Sequence, residues 1–394
     1  MLQYILDNSP LPIPLLIITL IALIIMVFLC VVRSRSGFWY MQPVFHAYDL
    51  HHWIFTNRVI MEDLPEPNKY VTPIDVSTFT ASSLTDTVIG DVCDCIREHF
   101  LRTELASYNP TNEEVMGFLE SSTSPSYVSI YSGASPSKNV VGVITARPLY
   151  VHIHDRDIPV NYVDNLCIDS GYRKNGYAPR LIQTLEYDIR RHNPSVKVCL
   201  FKREGEMTAI VPVTTYTTYG VDIERIPRKT LEYSSAKVVR VSSGSLINLA
   251  SFVKDMGSKF SCRIHPDKQT FISQLKKRYL DCWMMIDSGS IYAAFFIKNT
   301  SIHADGRDCI ELVASINACP HEDTFFNAFA TSLRRACRSY KAKRILIEST
   351  GHNSIILEHL ERHNVKHISS CPTAFFLYNY AALSVPAKDC LFIY

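Results

Sequence analysis

The sequence predicts an α+β protein with two sheet-and-helix halves in series behind an apolar N-terminal helix. Three observations carry this. An uncharged run, IPLLIITLIALIIMVFLCVV, fills residues 13–32. A strand, a basic glycine-bearing loop and a helix start follow one another in NYVDNLCIDSGYRKNGYAPR, residues 161–180. The order of strands and helices before residue 228 recurs after it. The expected organisation is therefore 1–36 as the N-terminal segment, 37–228 as one mixed, mostly antiparallel sheet with flanking helices, and 229–394 as a second.

Composition excludes some classes. Forty basic and 38 acidic residues leave a net charge of +2, without the basic excess of a nucleic-acid binder. Twelve cysteines are scattered with no repeated CxxC pair. That pattern reads as small buried apolar residues in a reducing compartment, with no disulfide framework. His359, His363 and His367 have helical spacing but no second ligand motif, so no metal site is expected.

The run at 13–32 has about 20 residues, and a rise of about 1.5 Å per residue spans a ~30 Å hydrocarbon core. It lacks the basic start and small-residue cleavage site of a signal peptide. Arg33 and Arg35 follow it, while Asp7 is the only charge before it. The expectation is a single-pass membrane helix with the rest of the chain on the cytosolic side.

The order of elements beyond it is read from periodicity. Apolar spacing marks a helix over 83–105, and Thr111 or Asn112 caps another, with Glu113 and Glu114 in its first turn. Strands follow at 127–131, 140–146, 149–154 and 162–168. The helix that opens near Pro179 carries Leu181, Ile182, Leu185 and Ile189 on one face. Proline there loses no helical hydrogen bond. Unpaired N–H groups at such a helix start, beside Arg173 and Lys174, make an anion site.

Several stretches together resemble the eukaryotic N-myristoyltransferases, a branch of the GCN5-related (GNAT) acyltransferase superfamily. Arg173, Gly176 and Ala178 are similar to that superfamily's coenzyme A pyrophosphate loop. Phe38-Trp39-Tyr40-Met41-Gln42-Pro43-Val44 resembles the family's entry segment, and GVITARPLYVHIHD at 142–155 its strand pair before the catalytic strand. Asn165 to Ile168, Ala178 to Ile182, Pro212-Val213-Thr214-Thr215 and Phe376 to Tyr380 match further segments in order.

The resemblance implies tandem acyltransferase-like (GNAT) domains and acyl transfer from acyl-CoA, most closely myristoyl-CoA, to the N-terminal glycine amine of a protein. The acyl-CoA is a co-substrate; no permanently bound cofactor is implied. It implies oxyanion donation by the backbone of Asn165 and Leu166, with Thr215 in the catalytic set. Leu166, Cys167, Ile168, Arg173, Lys174, Asn175, Gly176, Ala178 and Pro179 then line the coenzyme site, and Phe38 and Trp39 help hold coenzyme and acyl chain.

The apolar tail CLFIY ends at Tyr394. An apolar terminus packs inward and takes its carboxylate with it, either as a strand capping the core or, as the resemblance implies, as the proton acceptor for the glycine ammonium. Three departures from the family stand out. Asp164 replaces an Asn and offers a second carboxylate. Asn175 and Gly176 replace cations. The acidic peptide-binding loop near 99–107 keeps only Glu98 and Glu104 close by. Two other readings remain: transfer of a short acyl group such as acetyl, or an inactive membrane-bound relative with a binding role.

Overall fold

The structure is a computed structural model in which residues 13–103, 106–132, 140–228 and 235–394 are described. Glu104 and most of the turn expected at 132–139 lie outside that set, as do the side chains at 29, 32, 33, 35 and 36. The chain divides into two compact units, one ending at Val44 and one spanning Phe45–Tyr394.

The first unit holds a helix, Ile13–Ser36, and a short 3₁₀ turn, Trp39–Met41. Phe38 and Trp39 meet edge to face, 5.2 Å between centroids. Among the described residues, no helix is long and apolar enough to cross a membrane.

The second unit is α+β. Among its described residues, a mixed sheet of fifteen strands runs through it. Its main path is Cys390–Phe392, Cys262–His265, Gly142–Ile153, Arg156–Ile168, Val198–Glu204, Ser369–Tyr378, Thr214–Asp222, Arg344–Glu348, Arg307–Asn317, Ser290–Ala304, Asp281–Asp287 and Lys237–Arg240. Pairing along it is antiparallel at all but three contacts. Two of the three parallel pairs flank a helix: Tyr177–His192 joins Arg156–Ile168 to Val198–Glu204, and Glu322–Tyr340 joins Arg307–Asn317 to Arg344–Glu348. A parallel pair needs such a crossover. The same strand-helix-strand unit thus occurs on each side of residue 228, and Ser369–Tyr378 lies between Val198–Glu204 and Thr214–Asp222.

Local signals set most boundaries. Helix Asn112–Glu120 starts with a reciprocal cap: Thr111 Oγ1 accepts from the Glu114 N–H and the Glu114 carboxylate accepts from the Thr111 N–H. His154 and Asp155 both have positive φ and close a two-residue hairpin into Arg156–Ile168. One expectation fails usefully. Strands were predicted on either side of Arg147-Pro148, yet Gly142–Ile153 is continuous. On its outer edge, Tyr127–Tyr131 pairs only to Ala146 and Cys262–His265 starts at Tyr150. Pro148 falls in the gap, where a missing N–H breaks no ladder.

The last residues are inside. Cys390–Phe392 runs parallel to Cys262–His265, and the Ile393 N–H donates to the Ile264 carbonyl at 2.8 Å. Phe392 is fully buried, packed edge to face on Phe375 at 5.0 Å. Phe392→Ala is expected to cost about 3–5 kcal/mol, read as a lower denaturant midpoint at unchanged slope.

Candidate active site

Strands Arg156–Ile168 and Val198–Glu204 pair only from Val160 to Val163 on the first and from Val198 to Phe201 on the second. Beyond Val163 no pairing joins them, and Val198–Glu204 carries on against Ser369–Tyr378. On the other side, Gly142–Ile153 is in register at Val143↔Cys167 and at Thr145↔Asp164. One residue, Ile144, therefore faces two, Asn165 and Leu166. This is a β-bulge with Asn165 at φ 51°. It lies where the two parallel strands part.

Side chains hold the bulge. Thr145 Oγ1 donates to the Asp164 carbonyl at 3.1 Å and accepts from Asn165 Nδ2 at 3.1 Å. The Asn165 N–H donates to Asp164 Oδ1 at 2.8 Å. The Leu166 side chain is 37% exposed, while Cys167 and Ile168 turn into the core. Cys167 Sγ donates to the Cys95 carbonyl.

After the strand, Asp169 accepts from the Gly171 N–H at 2.9 Å and starts the 3₁₀ turn Ser170–Tyr172. Arg173 Nε donates to the Ile168 carbonyl, and its Nη2 donates to the His99 carbonyl. Arg173 thus ties the loop to the end of helix Asp86–His99. Lys174 and Gly176 have φ 66° and 77°, left-handed backbone that turns the loop into the helix. No side chain caps the following helix, Tyr177–His192. Lys174, Asn175 and Gly176 are exposed, and Ala178 and Pro179 are half-buried in the first turn.

On the other side of the bulge, the chain end enters a buried polar cluster. Tyr394 is 3% exposed. Its hydroxyl donates to Glu348 Oε1 at 2.9 Å and accepts from Lys202 Nζ at 3.0 Å. Glu348 Oε1 also accepts from Tyr216 Oη at 2.9 Å and sits 2.8 Å from Lys202 Nζ. Burial opposes the Lys202 charge, but Glu348, Tyr216, Glu311 and Glu204 outweigh it and hold the ammonium well above its usual pKa. Burial pushes the Tyr394 phenol up, and Glu348 and Glu311 add to that. It stays a neutral donor. The Tyr394 ring meets Tyr162 at 5.7 Å and Phe375 at 5.3 Å.

Sequence reasoning brought Asp164, Asn165 and Leu166 to one bulge, Arg173 to Gly176 to one loop, and Tyr394 indoors. It missed Lys202, Glu311 and Glu348. Thr215 is exposed, on the opposite face of its strand from Tyr216. Phe38 and Trp39 belong to the first unit. His359 is buried, not on a solvated helix face, and stacks on Phe326 at 5.1 Å. One described group, Asp49, His51 and His52, has metal-ligand spacing, but Arg58 engages the His51 ring nitrogens.

Two changes test this local architecture. Thr145→Val leaves the Asp164 carbonyl and Asn165 amide without their partner and should cost about 1–3 kcal/mol in chemical denaturation. Gly176→Val forces a branched side chain into positive φ, a strain of about 1–3 kcal/mol. It should weaken coenzyme A binding by calorimetry tenfold or more.

A model described as the acetyltransferase (GNAT) family matches residues 93–200, the stretch containing both the bulge and the loop. Comparison with curated proteins finds no match. Among solved structures, Saccharomyces cerevisiae N-myristoyltransferase with bound myristoyl-CoA is 14% identical, over 89% of this chain and 94% of that chain, at a TM-score of 0.65. A second structure of that yeast enzyme with myristoyl-CoA is 13% identical, over 90% of each chain, at 0.68. A third, with inhibitors also bound, is 14% identical over 89% and 91%, at 0.67. At such identity the likeness is one of fold: the chain carries a GNAT-superfamily acyltransferase domain within the fold of the N-myristoyltransferases.

Proposed function

We propose that the protein transfers a long acyl chain, myristate, from acyl-CoA to the N-terminal glycine amine of a protein. The observation that carries this reading is the bulge at Asn165–Leu166, set where the parallel strands part and followed directly by the positive-φ loop. The pyrophosphate of the coenzyme lies on Arg173, Lys174, Asn175 and Gly176 and the first turn at Ala178 and Pro179. The thioester carbonyl then reaches the bulge, where main-chain N–H groups of Asn165 and Leu166 accept its developing negative charge. The amine attacks that carbon, the tetrahedral intermediate collapses to an amide, and the coenzyme thiolate leaves.

In this reading the proton of the glycine ammonium goes to a carboxylate, either that of Asp164 or the main-chain carboxylate of Tyr394. In the structure Asp164 occupies the Asn165 N–H. Once Asp164 turns to the ammonium, that N–H is released to the oxyanion. Thr215, on the exposed face, assists from the substrate side.

The acetyltransferase description of the matching family supports a second reading, transfer of a short acyl group. Chain-length competition separates the two. Myristoyl-CoA is expected to displace bound acetyl-CoA and to give the faster amide formation on a Gly-initiated peptide. Displacement only by short chains would end the long-chain reading, and no amide with any donor would end both.

The base is tested separately. Deleting Tyr394 should lower kcat by about 10²–10⁴. Tyr394→Phe, which keeps the carboxylate, should stay at least tenfold more active than the deletion. Equal losses would assign the effect to packing and leave Asp164 as the acceptor.

Membrane attachment through Ile13–Ser36, with the catalytic unit on the cytosolic face, is part of the same reading. It is supported by exposed Ile17, Ile18, Leu20, Ile21, Leu23 and Ile24, which leave no polar face on this stretch. The full chain is expected to sediment with membranes at high salt and high pH, and a chain starting at residue 37 to remain in the supernatant. Recovery of both in the supernatant would remove the anchor.

A further inference from the structure

Two cations near the bulge lack acidic partners. Arg147 is 5% exposed, and its Nη1 is buried without a hydrogen-bond partner. Its guanidinium lies over the rings of Phe118 and Tyr162, at 5.2 and 5.0 Å. Lys298 Nζ lies over the same Phe118 ring at 4.9 Å and over Tyr394 at 5.6 Å. Among the described residues, neither side chain makes an ion pair within 4.0 Å. Glu311, across the strand from Lys298, instead reaches Lys202 at 3.7 Å. The Asp164 carboxylate accepts from the Asn165 N–H at Oδ1.

A buried Arg147 nitrogen without a partner, beside the half-buried Lys298 ammonium on the same ring, is costly unless an anion joins them. The position says which anion. Arg147 is in register with Tyr162, three residues before the bulge and so about 10 Å along the strand at ~3.3 Å per residue. The loop of Arg173 to Gly176 lies beyond the bulge in the other direction. Coenzyme phosphates belong there, so the Arg147 side is the acceptor's.

We propose that Arg147 and Lys298 form a pocket for a carboxylate on the acyl acceptor, an Asp or Glu side chain at its second or third residue. Two extended residues cover about 7 Å, which fits an amine at the bulge and an acidic side chain at the pocket. Burial lowers the Lys298 pKa, Arg147 and Lys202 add to that, and Glu311 and Asp164 oppose it. A bound carboxylate would act in the same direction as Glu311 and Asp164, favouring the ammonium. The proposal rests on the acyl-transfer reading but is tested apart from it.

Gly-initiated peptides with Asp, Asn, Glu or Gln at positions two and three would be bound to the full chain in the presence of a non-hydrolysable myristoyl-CoA thioether. Turnover with myristoyl-CoA would be measured in parallel. Acid peptides are expected to bind at least tenfold tighter than their amide isosteres. Arg147→Met and Lys298→Met should each bring that ratio near one, and Arg147→Lys should recover part of it. Equal binding of acid and amide peptides, or a ratio the variants leave unchanged, overturns the pocket. Equal turnover of both peptide classes would keep the acyl-transfer reading without the pocket. Acid-selective binding with no turnover would keep the pocket and discard the acyl-transfer reading.

Discussion

Main-chain hydrogen bonding is the constraint on which this site depends. A buried strand must satisfy each N–H and C=O, and Arg156–Ile168 does so with neighbours on both sides only from Val160 to Val163. Beyond Val163 the parallel neighbour is gone, and the antiparallel neighbour skips one residue. The fold compensates with side chains: Thr145 takes the Asp164 carbonyl and the Asn165 amide group, and Asp164 takes the Asn165 N–H. The Asn165 N–H is thereby kept out of the ladder, on Asp164 Oδ1. The sheet is strong enough to carry such a defect because it continues on both flanks.

The polypeptide's last residues pack against the strand pair just before the gap. Tyr394 has its hydroxyl joined to Glu348 and Lys202 and its ring against Tyr162 and Phe375. Replacing such a buried ionic network with apolar groups is often neutral or stabilising in general. Its presence here fits a role in fixing where the chain end lies.

What the sequence disclosed follows the range of the forces involved. Gly176 and Pro179 announce a turn and a helix start because their backbone restrictions are local. The Thr111–Glu114 cap is legible for the same reason. Pro148 misled, because whether a proline breaks a strand depends on which neighbour its N–H would have faced. The cluster of Lys202, Glu311, Glu348 and Arg147 was out of reach, since its members come from four strands that meet only in the folded sheet. One signal was present: each is a charge in or beside an apolar strand run, as in VCLFK, CIELV, RILIE and VITAR. Thr215 lies apart from that cluster: the two-residue period that exposes it puts its neighbour Tyr216 inside.

The central claim is that main-chain N–H groups at the bulge stabilise the reacting carbonyl. Leu166→Pro removes one of these donors while Thr145 and Asp164 still hold the other. Single-turnover transfer from myristoyl-CoA to a Gly-initiated peptide, measured beside equilibrium binding of the donor, tests it most directly. The account predicts transfer slowed by about 10²–10³ with donor binding retained. Unchanged transfer by the proline variant would contradict it.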